Sequence, residues 1–310
     1  MLPLSRRNGS VTMRRRLTSV IILIVVVFAA GALTVALANG VGTSSAAGQG
    51  SGGPSGSRSV AAASAARQHA AKWIIKQVSG GATVACDPVM CSVLQARHFP
   101  SGNLIALGPS AGDPLGSAIV VSTAAIRSQF RRHLVSVYAP VIIASFGSGT
   151  ARVDVRVTAA DGSAAYLAEL HADRLARQAS GKQLLGNKHL TVTAAARQAL
   201  TAGQVDSRLL STLAVLAGTA HLSVHVLSFG DAGPGASLGV PMRYAVIAIN
   251  AAGQQSGSAQ YLQAALGFLR AQQAPFRAAS MTEATESGQP VLRILFAAPS
   301  PLGLLGAGSP

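Results

Sequence analysis

The chain has 310 residues, 49% hydrophobic, 11% charged and 4% aromatic. The charged share is under half of the roughly 25% usual in soluble domains, which excludes charge-driven disorder of the whole chain. Lys plus Arg is 25 against 10 Asp plus Glu, a formal net charge of +15. Only one stretch is long and apolar enough to span a bilayer, which excludes a polytopic channel or transporter.

Residues 1–16 carry Arg6, Arg7, Arg14, Arg15 and Arg16 and no acid. Residues 17–57 then carry no charge, and within them residues 20–38 form a 19-residue apolar run. A helix of that length reaches roughly 28 Å, close to the hydrocarbon core of a bilayer. Arg14, Arg15 and Arg16 lie on its N-terminal side, so the positive-inside rule leaves the tail in the cytoplasm and exports the rest. Two forms of this reading stand: an uncleaved signal anchor over residues 17–38, or a signal peptide cleaved after Ala38, which would release the protein. The apolar run exceeds the usual 7–15-residue signal core, which favours the anchor. Arg6-Arg7 lies too far upstream to read well as a twin-arginine export signal. Residues 39–60, rich in Gly, Ser and Ala, read as a flexible linker.

Periodic sequence follows. Residues 61–78 predict an amphipathic helix with Trp73, Ile74, Ile75 and Val78 on one side, stopped by Gly80-Gly81. Residues 82–86 predict a strand, and Asp87-Pro88 opens a helix with Asp87 as its cap. Strands are expected at 103–107, 117–122, 141–145 and 152–158, with a helix over 124–137 capped by Thr123. Val153, Val155 and Val157 alternate with charged residues, so that last strand reads as half-exposed. A second unit opens with a helix over 163–185 whose apolar positions are Tyr166, Leu167, Leu170 and Leu175. Strand 189–193, helix 194–202 and helix 207–217 follow, the helices capped by Thr193 and Asp206. Strand 222–229, a Gly/Pro turn over 231–239, strand 243–249, helix 259–271 and strand 291–296 complete it. The alternation predicts an α/β fold: two α/β units, 61–160 and 161–298, with short, mostly parallel sheets, and a frayed tail over 299–310.

Several segments of the first unit carry a resemblance. KWIIKQVSGGATVACDP, HFPSGNLIAL, SAIVVSTAAIRSQF and IIASFGSGTARVDVRV are ordered as in a soluble extracytoplasmic module. Residues 65–158 thereby resemble the C-terminal module of actinobacterial membrane glycosyltransferases related to the mannosyltransferase and aminoarabinose-transferase families. The resemblance implies a small α/β fold and an extracytoplasmic compartment. It does not imply glycosyl transfer, because the polytopic catalytic domain has no counterpart here. The high Ala and Gly content also looks like that of GC-rich actinobacterial products. Residues 203–296 are similar in element order to D-Ala-D-Ala-type zinc peptidases, but 240–250 and 291–296 contain no His, Asp, Glu or Cys.

Candidate chemistry is sparse. Cys86 and Cys91 are the only cysteines, and outside the cytoplasm such a pair reads as a disulfide. Two reduced cysteines or a reactive thiol at a helix start remain as alternatives. His221 and His225 are four apart without the Glu of a zinc-peptidase motif. Residues 145–149 (SFGSG) lack the third glycine of a dinucleotide fingerprint and read as a turn between strands. Glu283 and Glu286 do not define a glycosidase pair. Arg127, Arg131 and Arg132 form the densest basic cluster outside the N-terminus, a candidate contact for anionic lipid or wall polymer. Nucleic acid is not expected, since stacking aromatics are few and the domain is exported. No catalytic, metal or cofactor-binding residue is assigned, and no cofactor is implied.

The expectation is therefore a single-pass, membrane-anchored extracytoplasmic protein with a non-catalytic binding or accessory role at the cell envelope. Its partners would be the bilayer through residues 17–38 and a cell-wall polymer or polytopic membrane protein. The alternative is an enzyme acting on cell-wall or glycan material, as a degenerate zinc-peptidase-like or glycosyltransferase-associated module. Five of the positive charges sit in residues 1–16, which leaves 20 basic and 10 acidic residues, a net +10, in the exported part.

Overall fold

A computed structural model describes residues 55–110, 112–219, 222–251 and 259–306. Arg14, Arg15, Arg16, the apolar segment 17–38 and most of the expected linker lie outside them. Among the described residues no helix is long and apolar enough to cross a membrane.

The first helix, α1 (Ser55–Gln77), starts inside the expected linker. Apart from Gly56 its first turns hold Ser, Ala, Val and Arg, so each added residue extends the ladder at little cost. Ala66, Ala70, Ala71 and Ile74 are buried, but Ile75 is 39% exposed, so the apolar stripe is narrower than the sequence implies. Strand β1 (Val84–Cys86) leads into α2 (Pro88–Gln95), where the Asp87 carboxylate accepts from the Met90 amide at 3.0 Å. Strands β2 (Leu104–Ala106) and β3 (Ile119–Ser122) follow, then α3 (Ala124–Phe130), β4 (Val141–Phe146) and β5 (Val153–Val157). The helix expected over 124–137 breaks: Arg131 takes φ 48° and a π-helical turn spans Leu134–Tyr138. The break lets Phe130 and Leu134 both enter the small core under this face. Thr123 makes no cap bond, because its hydroxyl donates to the Asp87 carboxylate instead.

The second half opens on α4 (Ser163–Leu185), followed by β6 (Leu190–Val192), α5 (Ala194–Thr201) and α6 (Ser207–Gly218). Thr193 and Asp206 cap α5 and α6 as the sequence predicts. Strands β7 (Leu222–Gly230) and β8 (Tyr244–Ala251), helix α7 (Ala259–Arg270) and strands β9 (Ser280–Glu286) and β10 (Gln289–Leu295) complete it. Strand β9 was not expected, since its Ser, Thr and Glu content carries little apolar signal.

The fold is α/β, with two five-stranded mixed sheets ordered β2-β1-β3-β5-β4 and β6-β7-β8-β10-β9. The expectation of mostly parallel sheets is corrected. In the first sheet β1 is parallel to β2 and β3, but β5 is antiparallel to both its neighbours. In the second, only β6 and β7 are parallel. The successive pairs β4/β5, β7/β8 and β9/β10 are joined without a crossover helix, and direct connection forces antiparallel pairing. Of residues 145–149, Ser145 and Phe146 end β4 and 147–149 lead the turn into β5, with Gly147 and Gly149 at positive φ.

Strand β5 corrects a second expectation, because all five of its residues are buried. Asp154 and Arg156 do not face water. The Asp154 carboxylate is 2.7 Å from Arg152 and 3.6 Å from Arg156, and it accepts from the Ser145 hydroxyl. Helix α4 does the same: Leu167 and Leu175 are exposed, whereas Asp173 and Arg177 are buried and paired at 2.7 Å. The tail is also corrected over its described part. Leu302 and Leu305 pack against the two main cores, and the Gly303 amide donates to Asp173 at 3.2 Å.

Both sheets belong to the compact unit Gly52–Pro310. The β7–β8 connection crosses from the second sheet to the first and covers its edge strand β4. The Ser145 amide donates to Pro234 at 2.6 Å, and the Ser237 amide donates to Ile142 at 2.8 Å. Gly233, at φ 96°, makes this approach possible, since a Cβ there would overlap the Ile143 carbonyl. The covered edge is closed to pairing with other chains.

Candidate functional site

The site lies where the two sheets meet, on the chain leaving β10. Residues 296–299 run between two segments. On one side the Ala298 amide donates to Gln77 at 2.6 Å and the Ser79 amide donates to Ala298 at 3.3 Å. On the other, the Ala279 amide donates to Leu295 at 2.8 Å. The exit of α1, the end of β10 and the start of β9 thus form one small surface, although they are about 200 residues apart in sequence at the widest.

Two buried arginines fix this ribbon from beneath. Arg208 pairs with Asp206 at 2.7 Å, donates to the Ala297 carbonyl at 2.9 Å, and lies 4.9 Å over the Phe296 ring. Arg243 donates to the Phe296 carbonyl at 2.9 Å and to the Gln77 side chain at 3.1 Å. Its guanidinium stands 5.7 Å from the Trp73 ring centre and 3.8 Å from Asp231. Burial lowers the Arg243 pKa, and Asp231 and Asp206 oppose that. Charge-assisted bonds of this kind hold backbone in one place.

Above the ribbon is an open groove of about 670 Å³. Its cations are Lys76 from α1, Arg208 beneath the ribbon, and Arg277 from the α7–β9 connection. Among the described residues no Asp or Glu lines it. Lys76 and Arg277 are exposed, and neither forms an ion pair with a described residue. The rest of the lining is mainly aliphatic: Ile75, Val78, alanines 278, 279 and 298, and prolines 275, 299 and 301. A second hollow of about 340 Å³ lies against the second sheet, with Gln77, Asp231, Tyr244 and Arg293 among its lining. Burial raises the Tyr244 pKa, with Arg293 opposing and Glu286 adding to the shift. That hollow is mixed in charge, whereas the groove is of one sign.

The residues singled out from sequence fall elsewhere. Cys86 and Cys91 form the expected disulfide, with Cα atoms 5.5 Å apart, and staple β1 to the first turn of α2. Arg127 is held by backbone, donating to Ser122 at 2.8 Å and to Arg152 at 2.7 Å. Burial lowers its pKa, opposed by Asp154. Arg131 and Arg132 are exposed beyond the end of α3, while Arg127 is half-buried. His225 lies on β7, while His221 is outside the described residues. Among the described residues no three His, Cys, Asp or Glu side chains come together as a metal site would require. Lys76, Arg208 and Arg277 were not singled out, because their spacing in sequence carries no local pattern. The only local sign is that residues 270–282 hold Arg270 and Arg277 and no acid.

Comparison with known proteins gives no match: no family model, curated protein or solved structure matches the chain.

Proposed function

We propose that the protein is a single-pass, membrane-anchored extracytoplasmic binding module of the cell envelope, held by residues 17–38. The observation that carries the binding half is the groove, a preformed hollow whose two exposed cations, Lys76 and Arg277, have no ion-pair partner among the described residues. The internal ion pairs support it. Asp154, Asp173 and Asp206 are buried against Arg156, Arg177 and Arg208, so these six charges are spent on holding the fold. The cations left outward act on whatever approaches. The disulfide fits an oxidising compartment, and the arginines of residues 1–16 supply the orientation.

Two measurements test this. A periplasmic-type phosphatase fused after Pro310 is active, and the chain stays at full mass in carbonate-washed membranes. Activity of a cytoplasmic reporter at the same position overturns the topology. Recovery from the medium without residues 1–38 overturns the anchor. On a native gel of a mild-detergent extract, the chain migrates in a complex. The K76E/R277E pair returns it to the size of the free chain, and unchanged migration of that pair overturns the groove as the binding site.

A further inference from the structure

We infer that the groove takes an extended acidic peptide segment of a partner protein, with small aliphatic side chains between its carboxylates. This rests on the reading of the groove as a binding site and names its ligand class. Three observations carry it.

The first is charge. Lys76 and Arg277 stand on opposite sides of the ribbon at 296–299, one on the exit of α1 and one on the approach to β9. Both are exposed and unpaired among the described residues, whereas the charge of Arg208 below is taken up by Asp206. A carboxylate laid across the ribbon meets a cation on either side without displacing an internal acid.

The second excludes the chain itself. Its ten acidic residues all lie between Asp87 and Glu286, and residues 1–54, 252–258 and 307–310 contain none. The side chains of these segments therefore offer the groove no negative charge. A second copy carries the same net positive charge, +10 over residues 17–310, which disfavours its approach.

The third is the lining between the cations. Ile75, Pro275 and Pro299 offer aliphatic surface. A phosphate-linked wall polymer has no apolar side chains to set against it, and no aromatic ring lines the groove for a sugar to stack on. An extended peptide alternating Glu with Ala or Val places its carboxylates on one edge and its methyl groups on the other. It therefore satisfies both parts of the lining at once.

The test uses the full chain in neutral detergent micelles and a fluorescein-labelled twelve-residue peptide alternating Glu with Ala and Val. Anisotropy at low salt shows saturable binding. The peptide with Gln for Glu binds at least about tenfold more weakly, and K76E/R277E weakens the acidic peptide about a hundredfold. Binding falls as salt rises. K76Q/R277Q, which removes charge without reversing it, falls between. Circular dichroism and the thermal midpoint of each variant match the parent, since both side chains are exposed.

Equal affinity for the Glu and Gln peptides overturns the inference. So does preferential binding of poly(glycerol phosphate) or phosphatidylglycerol vesicles over the peptide, which would make the groove a polymer or lipid site. If the peptide fails while the native-gel complex still dissolves in K76E/R277E, the ligand class is wrong and the binding reading stands. If both fail, the groove is not a binding site.

Discussion

The two sheets answer one problem in two ways. Each half opens on a 23-residue helix, and each closes on a strand–helix–hairpin unit ordered 1-3-2: β3-β5-β4 and β8-β10-β9. The first sheet has short strands, a parallel core of β2-β1-β3, and a hydrophobic cluster on each face. Helices α1 and α2 cover one face, and α3 with the following π-helical turn covers the other. The second sheet has longer, mainly antiparallel strands. Helices α5, α6 and α7 cover one face, and the small cluster on the other contains only strand residues. Parallel strands need both faces covered, whereas antiparallel ones tolerate an open face. The difference teaches where each half spends its polar groups. The first is stapled covalently and pairs its charges within the sheet. The second sends arginines to the seam, and the groove lies above them.

This contrast can be broken at its strongest points first. Removing one partner of a buried seam pair leaves a charge with nothing to oppose it. Asp206→Ala, which strands Arg208, and Asp173→Ala, which strands Arg177, should each cost about 3–5 kcal/mol in denaturant unfolding. A loss under 1 kcal/mol would show that the pairs are not what holds the seam. Gly233→Ala sets a Cβ into the Ile143 carbonyl at a positive φ and should cost about 3 kcal/mol. It should also release the β7–β8 connection from β4, seen as faster amide exchange at Ser145 and Ser237. Reducing Cys86–Cys91 acts on the first half alone and closes only a short loop, so about 2 kcal/mol is expected. Exchange in β6–β10 should not change.

The smallest effect is one of pH. Burial pushes the Tyr166 hydroxyl from 10.0 up to about 12, with Glu169 and Asp173 adding to it. The folded state therefore holds this proton more tightly than the unfolded chain. The resulting stability is fully present below pH 10 and is lost as pH rises from there through about 12. Tyr244 is also raised, so an ultraviolet titration should show a tyrosine ionising near pH 12 that Tyr166→Phe removes. An ordinary titration of all four tyrosines would contradict the burial of Tyr166.

Much of the secondary structure is legible because local chemistry dictates it. Asp87-Pro88, Thr193 and Asp206 mark helix starts through cap bonds that need only adjacent residues. Leu209, Leu210, Leu213 and Leu216 mark the buried stripe of α6 by spacing alone. What was not legible depends on distant partners. Asp154 and Arg156 alternate with valines as a solvent-facing edge would, and their burial rests on their partners: Arg152 and Ser145 for Asp154, the Ala139 and Pro140 carbonyls for Arg156, and each other. Strand β9 is polar and exists because β10 supplies its ladder. The cysteine pair was readable at five residues' separation. The groove was not, because Lys76, Arg208 and Arg277 come together only once α1, α6 and the α7–β9 connection are folded around residues 296–299.

The central claim is that the seam groove, rather than the open sheet face or the arginines near α3, is where the module meets its partner. Hydrogen–deuterium exchange on the full chain, with and without the acidic peptide, tests it directly. The account predicts new protection in residues 75–80 and 276–279, with no change at β9, β10 or residues 127–132. Protection confined to β9 and β10 or to residues 127–132, with none at the seam, would contradict it.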